Sequence, residues 1–235
     1  MSVEATTVAQ PAASPATPPA DRKPADQCVA LHDVGWRGYE HVLKARGDRG
    51  RPKIVYLDGS VYLVSPSHIH EGEKSRLGDL VKTICRLCRI PYHATASTTF
   101  GLREKSGSAE ADESFYFLEN AVRLRKKETI DLQTDPPPDL AIEVVYSGGS
   151  RNAVEVWKRF GVPEIWALRR KSLTFLVRGE DGRYAKAEVS RWLPGVAPAD
   201  VWALVQQIGD DSDLEWLEAV ERWVREVLFP RLGRG

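Results

Sequence analysis

The sequence has few cysteines, no net charge and no long apolar run. Its three cysteines, Cys28, Cys85 and Cys88, cannot form an even-numbered disulfide framework, so we expect a reducing, cytoplasmic setting. Lys+Arg and Asp+Glu are balanced at 33 each, so the overall charge does not indicate a nucleic-acid partner. No apolar run approaches about 18 residues, and we therefore expect no membrane span.

Two local patterns have a common and a less common interpretation. Cys85 and Cys88 form a C-x-x-C inside a helical pattern without a second pair, so zinc or redox chemistry is the less common one. Basic residues cluster at 44–53 and 123–127. Such clusters are usually solvated, and phosphate contact is the alternative. The N-terminus also lacks the basic and apolar regions of a secretory signal, which agrees with a cytoplasmic protein.

The chain divides into three parts. Residues 1–26 are mostly Ala, Pro, Thr and Ser, which favours a disordered tail because little apolar surface offsets the ordering entropy. Residues 27–209 are predicted to form one domain. Residues 210–235 carry an amphipathic helix whose apolar stripe runs over 213–228. The stripe is expected to dock on the chain's own core, and a homodimer is the alternative.

The predicted elements alternate between strands and helices, which indicates an α/β or α+β fold. The turn Asp58-Gly59-Ser60 predicts a hairpin, because Asp-Gly accepts positive φ. Apolar spacing predicts the other elements: helices at 71–89 and 150–160, and strands at 92–100, 114–118, 140–146, 165–168, 173–178 and 184–189.

Carboxylates in apolar surroundings are the chemical signal. Three prolines at 136–138 lead into an apolar strand that carries Asp139 and Glu143 on one face. Asp112 precedes another apolar strand. If the strands are neighbours, Asp112 and Glu143 could share one cation, and Mg²⁺ prefers such carboxylates together with water and phosphate oxygens. The alternative is that these are ordinary solvated carboxylates at strand ends.

Several segments, in order over about residues 53–205, resemble the Uma-two restriction-endonuclease family of the PD-(D/E)XK nuclease superfamily. They are Leu57-Asp58-Gly59, Ser65-Pro66-Ser67, His70-Glu71, Ser97-Thr98-Thr99-Phe100, the run 110–116, the run 137–144 and the run 161–166. Each is weak alone, and their order and spacing together are specific. The resemblance implies a restriction-endonuclease-like core with a central mixed sheet flanked by helices, an N-terminal hairpin and a C-terminal helix.

The resemblance also implies roles for particular residues. Asp112 and Glu143 match the metal-binding acidic residues, and Glu71 matches an acidic position that assists the metal. Asp139 matches a recurrent Pro-Asp with a supporting role. His70 is a candidate base, with capping or packing as the alternative.

The sequence departs from the family pattern at the lysine. Val145 stands two residues after Glu143, and the helix position to which the family generally displaces the lysine is Ala153. The nearest cations are Arg151 and Lys158, which we therefore predict as catalytic candidates although neither shares the helical face of Ala153.

The function that the resemblance implies is a metal-dependent DNA endonuclease that hydrolyses phosphodiester bonds with Mg²⁺, or Mn²⁺ in its place. The alternative is a nuclease-fold protein that has lost turnover and binds nucleic acid or protein. DNA is the expected partner.

Overall fold

The computed structural model describes residues 26–170, 172–207 and 212–234. The predicted tail 1–26 therefore lies outside the described residues except for Asp26. The strands are β1 (Gln27–Leu31), β2 (Lys53–Leu57), β3 (Ser60–Ser65), β4 (Tyr92–Ala94), β5 (Thr99–Leu102), β6 (Gly107–Glu110), β7 (Glu113–Phe117), β8 (Leu140–Val144), β9 (Glu164–Arg169), β10 (Ser172–Arg178) and β11 (Tyr184–Ala187).

The helices are α1 (Gly35–Arg46), α2 (His68–Cys88), α3 (Leu118–Leu124), α4 (Gly148–Phe160), α5 (Pro198–Gln206), α6 (Asp213–Trp223) and α7 (Phe229–Arg231). A single 3₁₀ turn, Arg103–Lys105, connects β5 and β6, and a π-helical turn, Val224–Leu228, joins α6 to α7. The predicted α/β fold is thus confirmed, as mixed strands and helices.

Two sheets form where the sequence predicted one central sheet. The first has the order β1-β3-β2-β6-β5, and the second has the order β11-β10-β9-β8-β7-β4. The second sheet is mixed, because β8 and β9 run parallel while the other pairs run antiparallel. The predicted hairpin is confirmed as β2 and β3, and it belongs to the first sheet.

Helix α4 lies between the two sheets and buries Val156, Trp157 and Phe160 in the core that they share. Its first turn approaches β3 so closely that a Cβ on Gly149 would lie 2.4 Å from Val64 Cγ2. The other face of the second sheet is covered by α2 and α5, and α6 packs on α2. This layering places the start of β2 near the middle of the second sheet.

The chain crosses between the sheets three times, from β3 through α2 to β4, from β4 to β5, and from β6 to β7, and the crossing from β4 to β5 was missed. The predicted strand 92–100 is wrong as a single element, because β4 pairs in the second sheet and β5 in the first. The chain turns between them, where Thr98 N–H donates to Thr95 O at 3.1 Å. It returns to the second sheet between β6 and β7, at Ala111 and Asp112. That return crossing carries Asp112, one of the two predicted metal carboxylates.

The C-terminal helix packs on the chain's own core. Trp216, Val220 and Leu228 are buried in the cluster that contains α2 residues, which is the packing expected by default. Cys85 and Cys88 lie in the same cluster, so both thiols are core residues. Within the described ranges, no helix is long and apolar enough to cross a membrane.

Candidate active site

Lys53 joins the two predicted metal carboxylates. Its Nζ donates to Asp112 Oδ1 at 2.7 Å and to Glu143 Oε2 at 3.0 Å. All three side chains are buried, with 8%, 2% and 0% of their side-chain surface exposed. A buried carboxylate pair repels itself strongly unless a cation lies between the two groups. The ammonium of Lys53 is therefore the charge that makes this arrangement compatible with the fold.

Strand pairing brings the three residues together. β7 and β8 are antiparallel neighbours with Glu113 opposite Ile142, so Asp112 lies beside Glu143. β2 pairs antiparallel with β6, whose last residue is Glu110. Lys53, the first residue of β2, therefore lies next to the crossing that Asp112 occupies. The condition under which Asp112 and Glu143 could share a cation, that their strands are neighbours, is therefore met.

The second oxygen of each carboxylate accepts a hydrogen bond from a donor other than Lys53. Asp112 Oδ2 accepts the backbone N–H of Val144 at 2.7 Å. Glu143 Oε1 accepts the indole N–H of Trp157 at 2.7 Å. The backbone group and the core indole hold the carboxylates rigidly, so the two oxygens that face Lys53 point to one place.

His70 lies between Asp26 and Asp112 and contacts both carboxylates. Its Nδ1 lies 2.8 Å from Asp26 Oδ2, and its Nε2 lies 3.1 Å from Asp112 Oδ1. The first contact has hydrogen-bond geometry, whereas the second has ion-pair distance without the direction of a good hydrogen bond. Burial lowers the pKa of His70, but the two carboxylates raise it to about 9. His70 is thus a charged brace on Asp112.

The pKa values of Asp112, Glu143 and Lys53 are shifted in different directions. Burial would raise the pKa of Asp112, but Lys53 and His70 hold it well below its usual range. Burial raises the pKa of Glu143 to about 8, and Asp112 adds to the rise while Lys53 opposes it. Burial would lower the pKa of Lys53, but both carboxylates raise it above its usual range. Lys53 is therefore a permanent cation, and Asp112 is its firmest counter-ion.

A groove of about 210 Å³ opens on this pair. It is lined by Lys53, Asp112, Glu71, Arg51 and Lys74, among others. The predicted metal-assisting Glu71 lies at the rim, where Oε1 is 3.1 Å from Arg51 Nη2 and Oε2 is 3.7 Å from Lys74 Nζ. The groove therefore opens on Lys53 and Asp112, and Arg51 and Lys74 add two further cations to its lining.

Asp139 is separated from the carboxylate pair. It lies four residues before Glu143, at the opposite end of β8. Its Oδ2 accepts Phe117 N–H at 2.8 Å, and its Oδ1 accepts the Asn120 amide at 3.0 Å. These bonds fix the passage from β7 into α3, so Asp139 has a supporting role in the fold.

The structure does not bring the two predicted cations to the carboxylates. Arg151 lines a different cleft, together with Tyr146, Gly148 and Arg169. Lys158 bonds Glu155 Oε1 at 2.9 Å on the exposed side of α4. Both lie on the wrong faces of α4, since its buried face carries Ala153 and Trp157. The positive charge comes instead from Lys53, on another sheet.

Sequence reasoning missed Lys53 and Trp157 as site residues. Lys53 stood out only as a member of the basic cluster 44–53, which is mostly exposed. Its one distinguishing signal is its position directly before the apolar run Ile54–Leu57. Trp157 was only a landmark for locating Ala153, although an indole N–H beside a buried carboxylate is a common way to satisfy it.

The donor set is compatible with a hard divalent cation. Two carboxylates from adjacent strands, completed by water and phosphate oxygens, are what Mg²⁺ commonly uses. Within the part of the chain that the structure describes, no group of three or more His, Cys, Asp and Glu residues is placed to hold a metal ion. The oxygens of Asp112 and Glu143 that would serve are those that Lys53 now contacts.

The sequence matches the profile of a known protein family. Residues 36–206 match the sequence profile of the Uma2 family, described as "Putative restriction endonuclease". Among solved structures, the chain is similar to "a putative nuclease belonging to DUF820" from Anabaena variabilis ATCC 29413, at 15% identity and a TM-score of 0.47. That alignment covers 66% of this chain and 92% of the other. A search among curated proteins finds no match. Since the profile spans most of the sequence, the chain belongs to the Uma2 family.

Proposed function

We propose that this protein is a metal-dependent endonuclease that hydrolyses phosphodiester bonds of DNA. The observation that carries the proposal is the convergence of Lys53, Asp112 and Glu143 beside an open groove, which Lys53 and Asp112 line while Glu143 is buried behind them. Membership of a family described as putative restriction endonucleases supports the reaction class. Two carboxylates and one amine beside a groove are suited to phosphoryl chemistry, where positioned charge contributes most of the rate.

Each residue would have a distinct task. Asp112 and Glu143 would hold Mg²⁺ or Mn²⁺, which when bound lowers the pKa of water and polarises a phosphate. Lys53 would place its positive charge against the phosphate as charge develops there. Trp157 and Val144 N–H would keep the carboxylates in position, and His70 would brace Asp112. Arg51 and Lys74 at the rim would contact flanking phosphates.

The experiment is a plasmid-cleavage assay with purified protein in Mg²⁺ or Mn²⁺. Asp112→Asn, Glu143→Gln and Lys53→Met should each lower the cleavage rate by about 10²-fold or more, as removal of a transition-state charge partner does. The matched control is Lys82→Met, because Lys82 pairs with Asp79 on an exposed face of α2. Absence of cleavage by the wild type, or equal cleavage by all variants, would refute the nuclease proposal.

The second candidate is a nucleic-acid-binding or protein-binding module of the same fold without turnover. The observation that favours it is that all four oxygens of Asp112 and Glu143 are already bonded within the protein. In that case the wild type would bind the plasmid and slow its migration in a gel-shift experiment, and it would leave the plasmid uncleaved in Mn²⁺.

A further inference from the structure

Lys53 occupies the place from which a cation can contact both carboxylates. Only Asp112 Oδ1 and Glu143 Oε2 face the shared space, and the ammonium bonds both. The opposite oxygens accept the backbone N–H of Val144 and the indole N–H of the buried Trp157, so each is oriented toward its own donor. A divalent cation that bridges the pair must therefore use the oxygens that Lys53 now holds.

A dication would crowd the ammonium. Asp112 Oδ1 already has Lys53 Nζ at 2.7 Å and His70 Nε2 at 3.1 Å, so a divalent ion there would be a third positive group, and repulsion in a buried site favours the departure of the ammonium. The side chain of Lys53 can move into solvent, because Lys53 lines the groove that opens on the site. A lysine side chain has a flexible four-carbon stem, so its charge can move into that groove while the backbone of β2 stays paired.

We propose that Lys53 is the resident cation of the metal-free site, and that a divalent metal ion binds by displacing it into the groove. This inference rests on the proposed function. It assigns Lys53 a positioning role in addition to its role at the phosphate: it keeps the two carboxylates aligned until metal enters. Metal affinity without nucleic acid is then reduced by the need to displace Lys53, and a phosphate in the groove restores affinity by receiving the displaced ammonium.

The first test measures Mn²⁺ binding without nucleic acid, by calorimetry on the EDTA-stripped full chain at pH 8. Lys53→Met retains the length of the stem and removes the charge. It should bind Mn²⁺ at least tenfold more tightly than the wild type, while Lys82→Met binds as the wild type does. Asp112→Asn in the Lys53→Met background should lose the gain. Equal or weaker Mn²⁺ binding by Lys53→Met overturns the inference.

A second test uses wild-type protein, in case Lys53→Met does not fold. The side chain of Lys53 is 8% exposed, so an amine-acylating reagent should modify it slowly in EDTA. Saturating Mn²⁺ should raise that rate severalfold, as followed by mass spectrometry of the peptide. Lys82, at 39% side-chain exposure and outside the groove, should react at the same rate in both conditions. No change at Lys53 overturns the inference.

These readouts separate the inference from the nuclease proposal. Tighter Mn²⁺ binding by Lys53→Met with no plasmid cleavage by the wild type would support the displacement and refute the nuclease. Cleavage by the wild type with unchanged Mn²⁺ binding in Lys53→Met would support the nuclease and refute the displacement.

Discussion

Lys53 and Asp112, 59 residues apart in the chain, form a buried ion pair of 2.7 Å between Nζ and Oδ1. The pair joins the first residue of β2 in one sheet to the crossing that leads into the other. It explains how a chain with Val145 and Ala153 at the two expected lysine positions still has a lysine at the carboxylates.

Lys53 should contribute strongly to the stability of the metal-free protein. Lys53→Met leaves the neighbouring carboxylates without their shared cation, which should lower the free energy of unfolding by about 3–5 kcal/mol. At pH 9, above the raised pKa of Glu143, Glu143→Gln in the same chain should recover part of the loss, because it removes one of the two charges. Urea denaturation in EDTA measures both. A Lys53→Met loss no larger than that of Lys82→Met would contradict the prediction.

The lysine should be transferable to α4. Ala153 is fully buried one turn before Trp157, whose indole bonds Glu143, so a lysine at 153 would approach Glu143. The double variant Lys53→Ala, Ala153→Lys should therefore regain at least tenfold cleavage over Lys53→Ala in the plasmid assay. Ala153→Lys alone should lower stability, since two ammonium groups would then meet there. If the double variant cleaves no faster than Lys53→Ala, the site does not accept a lysine from α4.

Asp139 should contribute to the free energy of unfolding and not to the affinity for a metal ion. Asp139→Ala leaves the Phe117 N–H and the Asn120 amide without their acceptor, which should cost about 1–3 kcal/mol of unfolding free energy. Mn²⁺ affinity should stay within about twofold of the wild type. Thermal denaturation and calorimetry provide the two measurements. A tenfold loss of Mn²⁺ affinity in a folded Asp139→Ala protein would place Asp139 at the metal after all.

The three thiols should react very differently. Burial raises the pKa of Cys85 to about 12, and burial also raises the pKa of Cys88, whereas Cys28 is exposed. A thiol reagent at pH 8 should therefore modify Cys28 quickly and the other two only after unfolding in urea. Titration with a chromogenic disulfide, with Cys28→Ser as the control, measures this. Rapid modification of Cys85 in the native protein would contradict the packing of α2.

The acidic half of the site could be predicted from local pattern. Asp112 and Glu143 each stand beside a buried strand, and the resemblance paired them before any geometry was known. The cation could not be predicted in this way. Lys53 looks like its exposed neighbours Arg49 and Arg51 in sequence, and only the pairing of β2 with β6 makes it a buried residue.

Among the helices and strands too, some could be predicted from local sequence and others depended on tertiary pairing. The hairpin β2–β3 and helix α4 were predictable because their turn residues and apolar spacing act over a few residues. The splitting of 92–100 into β4 and β5 was not, since the two strands differ only in which sheet they join. Strand β6 was missed because Gly107–Glu110 carries no apolar pattern and is buried by its neighbours alone.

The sequence by itself determined the α/β character of this protein and its family, and it indicated Asp112 and Glu143 as the candidate carboxylate pair, because periodicity and motif spacing are local properties. Only the tertiary structure decided which cation meets them. Charge compensation in a buried site depends on distance in space, and the partner of Glu143 lies 90 residues away in the chain.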